Sequence, residues 1–253
     1  MNLFAPGENG YALFLLALAA ICMIFMSRLQ RGQISRRLRD IHAYIRLRRV
    51  IGLSVEAGKR LHLLLGAGGI QDLPGAPGMM GLNVARYIAQ VALVSDRTPV
   101  VSSGEGNLAI LAQDVLNSSF NEINTEVQID PDPSRVSGLT PISFAAGALP
   151  VVFDQDVSVN LIAGSFGSEV ALLTDAAERT GSTALGGSEN LTAQAVLYAS
   201  SQEALIGEEL FAAGAYLHGD PIHLGSLFAQ DVLRWIIIVT LLVGVIFQIL
   251  GVI

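Results

Sequence analysis

The 253-residue sequence predicts a Rossmann-like three-layer α/β domain with a mainly parallel sheet, flanked by two transmembrane helices. Three observations carry this expectation. Hydrophobic residues make up 51% of the chain against 15% charged, with a mean hydropathy of +0.53, more apolar than a soluble domain requires. Uncharged apolar runs lie near both ends, at Tyr11–Met26 and Trp235–Ile253. Between them, short apolar strands alternate with helical patterns, as in a parallel sheet buried on both faces.

Tyr11–Met26 (YALFLLALAAICMIFM) is just long enough, with Ser27 and its N-terminal flank, to span a bilayer. Arg28, Arg31, Arg36, Arg37 and Arg39 follow this run instead of preceding it, which favours an uncleaved anchor over a signal peptide. The excess of arginine then places residue 28 onward in the cytoplasm and both termini outside the cell membrane. Residues 28–60 hold ten Lys/Arg against two acids, whereas residues 61–253 hold five Arg against nineteen acids. Within residues 28–54, Ile34, Leu38, Ile41 and Ile45 recur at helical spacing. The segment reads as a basic amphipathic juxtamembrane helix beside anionic headgroups. Its single interleaved aromatic, Tyr44, gives no support for nucleic-acid binding. Cys22 is the only cysteine, so neither a disulfide framework nor a cysteine-based metal site is available.

Residues 55–225 form the expected α/β domain. Leu61–Leu65 (LHLLL) reads as a strand entering Gly66-Ala67-Gly68-Gly69, followed by a loop over Ile70–Gly78 and a helix over Met79–Val94. Thr98–Ser102 is a second strand, ending at Ser103-Gly104-Glu105-Gly106-Asn107, with a helix over Leu108–Ile123. Asp130–Ser134 is a break, and Thr140–Phe153 an irregular helix. Val157–Ala163 is a strand that turns at Gly164-Ser165-Phe166-Gly167-Ser168-Glu169 into a helix ending near Arg179. Ser182–Leu185 is a last strand, ending at Gly186-Gly187-Ser188-Glu189-Asn190, and Leu191–Ser200 and Gln202–Leu217 are closing helices. From Trp235 the final run has 19 residues, roughly 28 Å as a helix and enough to cross a hydrocarbon core. Residues 232–253 are therefore the second span, with Arg234 and Trp235 as interfacial anchors.

Several uncommon strings occur here in a characteristic order: NLIAGSFGSE from Asn160, LIGEEL from Leu205, AAGAYL from Ala212, Asp220-Pro221, Leu224-Gly-Ser226 and Gln230-Asp231. With Glu56-Ala-Gly58-Lys-Arg60, His62 and Gly66–Gly69 upstream, they resemble a prokaryotic membrane-protein family known as domain of unknown function 6754. The resemblance covers roughly residues 50–235. It implies a membrane-attached domain and brings no activity or cofactor with it.

The four glycine-bearing strand ends should share the carboxyl edge of the sheet, where open α/β folds bind ligands. Gly66, Gly68, Gly69, Ser103, Glu105, Asn107, Gly164, Ser165, Gly167, Ser168, Glu169, Gly186, Gly187 and Glu189 are the ligand-binding candidates. The equally direct alternative is that these glycines only make tight turns, and that Ser165, Ser168, Glu169, Ser188 and Glu189 cap helices. Glu105, Glu169 and Glu189 disfavour a bare phosphate and suit a cation, a polyol or a metal–nucleotide complex. No G-x-G-x-x-G, Walker lysine, H-E-x-x-H or Ser-His-Asp elbow is present, and Lys59 is the only lysine. Glu208-Glu209, within the expected helix, suit an acid/base pair or a cation, or simply a solvated face. His218, Asp220 and His223 invite a metal reading that the family pattern does not demand. Two functions follow. In the first, a membrane-anchored subunit self-assembles as a homo-oligomer through small residues such as Ala212, Ala213, Gly214 and Ala215. In the second, a membrane-bound enzyme or sensor takes a small molecule or cation at the glycine edge.

Overall fold

A computed structural model describes residues 8–30, 39–68, 75–93, 97–121, 132–154, 156–219 and 221–249. The chain divides into two units, Met1–Leu38 with Gly219–Ile253, and Arg39–His218.

Among the described residues, the first unit consists of two helices packed on each other, α1 (Glu8–Gln30) and α9 (Pro221–Ile249). Within α9, Ile222–Ile246 has a mean hydropathy of 1.9 and is only 6% buried. An apolar surface of that length is unfavourable in water and suits a hydrocarbon core. Among the described residues it is the one helix long and apolar enough to cross a membrane. The described apolar part of α1, Leu16–Phe25, is shorter than a bilayer requires.

The second unit is a six-stranded sheet in the order β3-β2-β1-β4-β5-β6, with every neighbouring pair parallel. Its strands are β1 (Arg60–Gly66), β2 (Val100–Ser103), β3 (Ser134–Val136), β4 (Val157–Ser165), β5 (Thr183–Ser188) and β6 (Glu203–Leu205). Four helices lie on the connections between successive parallel strands: α3 (Gly75–Ala92), α4 (Gly106–Asn121), α6 (Val170–Thr180) and α7 (Leu191–Ser200). A fifth, α5 (Pro141–Val152), carries the chain from the β3 edge back to the centre.

The strands are nearly all apolar because both faces are covered. Leu64, Ile162 and Ala184 cluster with Phe144, Val170, Leu173, Ala193 and Leu197, so α5, α6 and α7 cover one face. On the other face α3 approaches so closely that a Cβ on Gly81 would overlap the Ala163 carbonyl and the Leu65 side chain. Beside α3 lie α4, α2 (His42–Glu56) and α8 (Ala213–Leu217).

Several elements depart from the sequence reading. Helix α2 is not a free-standing juxtamembrane element: it belongs to the α/β unit and buries Tyr44, Leu47 and Ile51, while Ile45 of the expected apolar stripe points outward. Ile34 and Leu38 lie outside the described residues. Part of the expected 70–78 loop is helical, since α3 begins at Gly75 and carries Pro77 in its first turn, where a missing N–H costs nothing. Residues 202–217 do not form one helix. They form β6, a 3-10 turn over Gly207–Ala212, and α8, because Ile206 is extended and Gly207 has φ +61°.

Candidate functional site

The strand order reverses between β1 and β4, and their carboxyl ends are where a doubly wound sheet opens a ligand crevice. Most of the predicted site residues converge there, and their contacts are largely with one another. Gly66 has φ +69°, and a Cβ on it would overlap the Ser165 carbonyl oxygen. Its own carbonyl accepts the Gly104 N–H at 2.6 Å, and the Ala67 N–H donates to Ser165 O at 3.0 Å. Cβ atoms on Gly164 and Gly186 would likewise overlap the carbonyls of Leu65 and Ile162, and one on Gly187 would lie 2.6 Å from Leu205 O. These glycines let adjacent strand ends approach; the N–H of Ala67 and the carbonyl of Gly66 are already used. Gly68 is buried, and Gly69 lies outside the described residues.

At the β4 and β5 ends the polar groups form a closed network. Glu189 accepts from Ser165 Oγ at 2.6 Å and from Ser188 Oγ at 3.2 Å. Ser188 Oγ in turn accepts the Phe166 N–H at 3.0 Å. Phe166, 2% exposed, fills the space beside Gly66 and meets Phe144 edge-on at 5.9 Å. Glu169 Oε1 accepts the Gly167 N–H at 2.7 Å. The expected self-capping Ser-Glu start is therefore corrected: Glu169 folds back on the turn, and α6 has no side-chain cap hydrogen bond. Ser168 contributes its carbonyl to the Ala171 N–H. Helix α7 is capped by Asn190, whose Oδ1 accepts the Thr192 N–H at 2.9 Å, and not by Ser188 or Glu189.

The β2 end differs. Ser103 Oγ accepts the Glu105 N–H at 3.1 Å and donates to Glu105 O at 2.9 Å, which fixes the turn. Asn107 Nδ2 reaches Glu105 Oε1 at 3.4 Å, while Glu105 Oε2 is buried with no hydrogen-bond partner among the described residues. Of the three edge glutamates, Glu105 alone has a buried oxygen without a partner among the described residues.

A second polar constellation runs through the sheet, below the edge. His62 on β1 places Nδ1 2.8 Å from Asn160 Oδ1 on β4 and Nε2 2.9 Å from Ser102 Oγ on β2. Asn160 Nδ2 donates to Ser182 Oγ at 2.9 Å, and Ser182 Oγ reaches Ala177 O at the end of α6. In this arrangement Nδ1 carries the hydrogen and Nε2 accepts the Ser102 hydroxyl. Burial, foremost, pushes the imidazole down to about 4; the Asn160 bond opposes this and the Arg135 charge adds to it. None of these four residues, His62, Asn160, Ser102 and Ser182, is among the predicted site residues. The signal available was two polar residues, His62 and Asn160, inside otherwise apolar strands.

The remaining candidates are dispersed. Glu209 pairs with Arg39 at 2.7 Å, so Glu208-Glu209 do not act as an isolated carboxylate pair. His218 Nε2 lies 3.0 Å from Asn83 O, Asp220 is outside the described residues, and His223 belongs to the other unit. Among the described residues, no group of three or more His, Cys, Asp or Glu could hold a metal ion. Ala212, Ala213 and Ala215 are buried within the α/β unit and do not offer a surface for a neighbouring subunit.

The strand order is that of the doubly wound Rossmann-like class, with a six-stranded all-parallel sheet flanked by helices. Within that class the whole chain, residues 1–253, matches the family model described as Domain of unknown function (DUF6754), and the protein belongs to this family. No curated protein and no solved structure matches it.

Proposed function

We propose that the protein is a membrane-anchored assembly subunit whose α/β domain recognises other protein surfaces, a second copy of itself first. The observation that carries this reading is the outer side of α5. Pro141–Val152 contains no charged residue, yet Ile142 is 69% exposed, and Leu139 before it and Phe153 after it are 75% and 48% exposed. An uncharged helix side carrying large apolar groups is characteristic of an interaction surface. The glycine edge supports the same reading, since the N–H groups of Ala67, Gly104, Phe166 and Gly167 and two of its three glutamates bond within the domain. The anchor comprises α9 and, as a second span, α1, whose full apolar run Tyr11–Met26 with its flanks is longer than the described apolar part, with the basic segment and the α/β domain in the cytoplasm.

Light scattering of the detergent-extracted full chain tests this. A defined homo-oligomer is expected, and Ile142→Arg should shift it to a smaller species without loss of fold, because the side chain is exposed. A strict monomer at micromolar concentration would overturn the reading.

A second reading rests on Glu105. A buried carboxylate oxygen without a partner is costly, and a hydroxyl-bearing small molecule or a cation at the β2 end would satisfy it. On this reading the protein is a membrane-bound sensor or enzyme, and Glu105→Ala abolishes binding of that ligand.

A further inference from the structure

Helix α2 has two sides with different chemistry. Its inner side closes on the α/β unit: Tyr44 Oη donates to Glu209 O at 2.8 Å and its ring stacks on Tyr216 at 5.0 Å. Three arginines of this region are also turned onto the domain. Arg39 and Arg46 pair with Glu209 and Glu203 at 2.7 and 3.1 Å, and Arg48 donates to the Tyr216 carbonyl. The opposite side carries His42, Ile45, Arg49, Leu53 and Glu56, all exposed. At 100° per residue these five fall within an arc of roughly 80°. Ile45 and Leu53 are each 55% exposed.

We propose that this outer stripe of α2 docks on an anionic lipid surface, with Ile45 and Leu53 in the headgroup–acyl boundary and Arg49 among the headgroups. Charge selects this occupant. Within the α/β unit, residues 39–60 carry six Lys/Arg against two acids, and residues 61–218 four Arg against seventeen acids, so an anionic bilayer attracts the α2 end of the unit and repels the rest. A second copy is the poorer occupant, because helix-on-helix contact through Arg49 would set like charges together. Arg49 set between the exposed apolar groups Ile45 and Leu53, with His42 and Glu56 at the two ends of the stripe, gives the apolar–basic–apolar centre of an interfacial helix. Tyr216 Oη donates to Arg39 O at 2.5 Å, which holds the start of α2 on its own unit and fixes the inner side of the helix.

The proposal rests on the membrane reading of α9, and the test separates the two. The full chain carrying Cys22→Ser and Leu53→Cys is spin-labelled and placed in nanodiscs of phosphatidylcholine with phosphatidylglycerol; Ile110→Cys on α4 is the control. The label at 53 should gain oxygen access and lose access to an aqueous nickel reagent relative to detergent, whereas the label at 110 should not. Arg49→Glu should reverse most of that change. Equal nickel access at position 53 in nanodiscs and in detergent would overturn the proposal. So would a short, lipid-independent distance between position-53 labels of two copies. Release of the protein from membranes by alkaline carbonate would instead overturn the anchoring itself, and the docking with it.

Discussion

His62 and Asn160 sit opposite each other on neighbouring strands, and their side chains close a 2.8 Å hydrogen bond inside a fully covered face of the sheet. Ser102 and Ser182 extend this bond on either side, so a polar line joins β2, β1, β4 and the end of α6. Such a line tolerates little variation, because loss of one member leaves another buried and unpaired.

This arrangement makes stability depend on pH. An unfolded histidine titrates near 6.5, whereas His62 in the fold is pushed down to about 4, so between these values the unfolded chain binds more protons. The stability contribution is fully present above pH 6.5 and is lost as pH falls toward 4. About 3 kcal/mol is at stake at full loss, from 1.36 kcal/mol per pKa unit. Thermal melts between pH 7.5 and 4 check this: His62→Gln should be less stable at pH 7.5 and show a shallower decline than the wild type.

The glycines of the edge divide by environment. Gly66→Ala forces a Cβ onto the Ser165 carbonyl at a positive φ, and should cost several kcal/mol, on the order of 3 or more. Gly106→Ala, in the first turn of α4 with nothing within 4 Å of the new Cβ, should be neutral or stabilising by up to about 1 kcal/mol. Chemical denaturation of the pair checks the contrast. Equal effects would show that the edge is not held together by close strand approach.

Tyr44 joins α2 to the C-terminal part of the domain. Burial, then the Glu209 charge, then Tyr216 raise its phenol well above the ordinary range, so it stays a neutral donor. Tyr44→Phe should cost about 1 kcal/mol by removing one buried hydrogen bond, and Tyr44→Ala about 3–5 kcal/mol by also leaving a cavity. Proteolysis near Arg39 in the two variants, with denaturant midpoints, checks the ranking.

Much of the fold is legible in the sequence where strands are long enough to show a run. β1, β4 and β5 announce themselves as apolar stretches between glycine turns. β3 and β6 do not, because three residues each, Ser-Arg-Val and Glu-Ala-Leu, carry no period and sit at the sheet edges. The candidate site is legible as a place but not as a role. A glycine in a string does not reveal whether its missing Cβ faces a ligand or a neighbouring carbonyl, and here Gly66, Gly164 and Gly186 face carbonyls. The basic run shows the same limit: Arg39 and Arg46 meet acids 170 and 157 residues away, contacts no local pattern encodes.

Glu105 separates the two functional readings. With no ligand, Glu105→Ala removes an unpaired buried oxygen and should leave the melting temperature unchanged or raise it slightly. With a ligand bound there, the same substitution lowers it. Melting curves of protein purified without added metal or nucleotide check the sign.

The central claim is that the domain assembles and that its glycine edge is engaged within the fold. Native mass spectrometry of the detergent-extracted full chain tests this most directly, since one spectrum reads subunit number and bound small molecules together. The account predicts a defined homo-oligomer whose mass is the sum of its chains. A monomer carrying a stoichiometric small molecule that Glu105→Ala removes would contradict it.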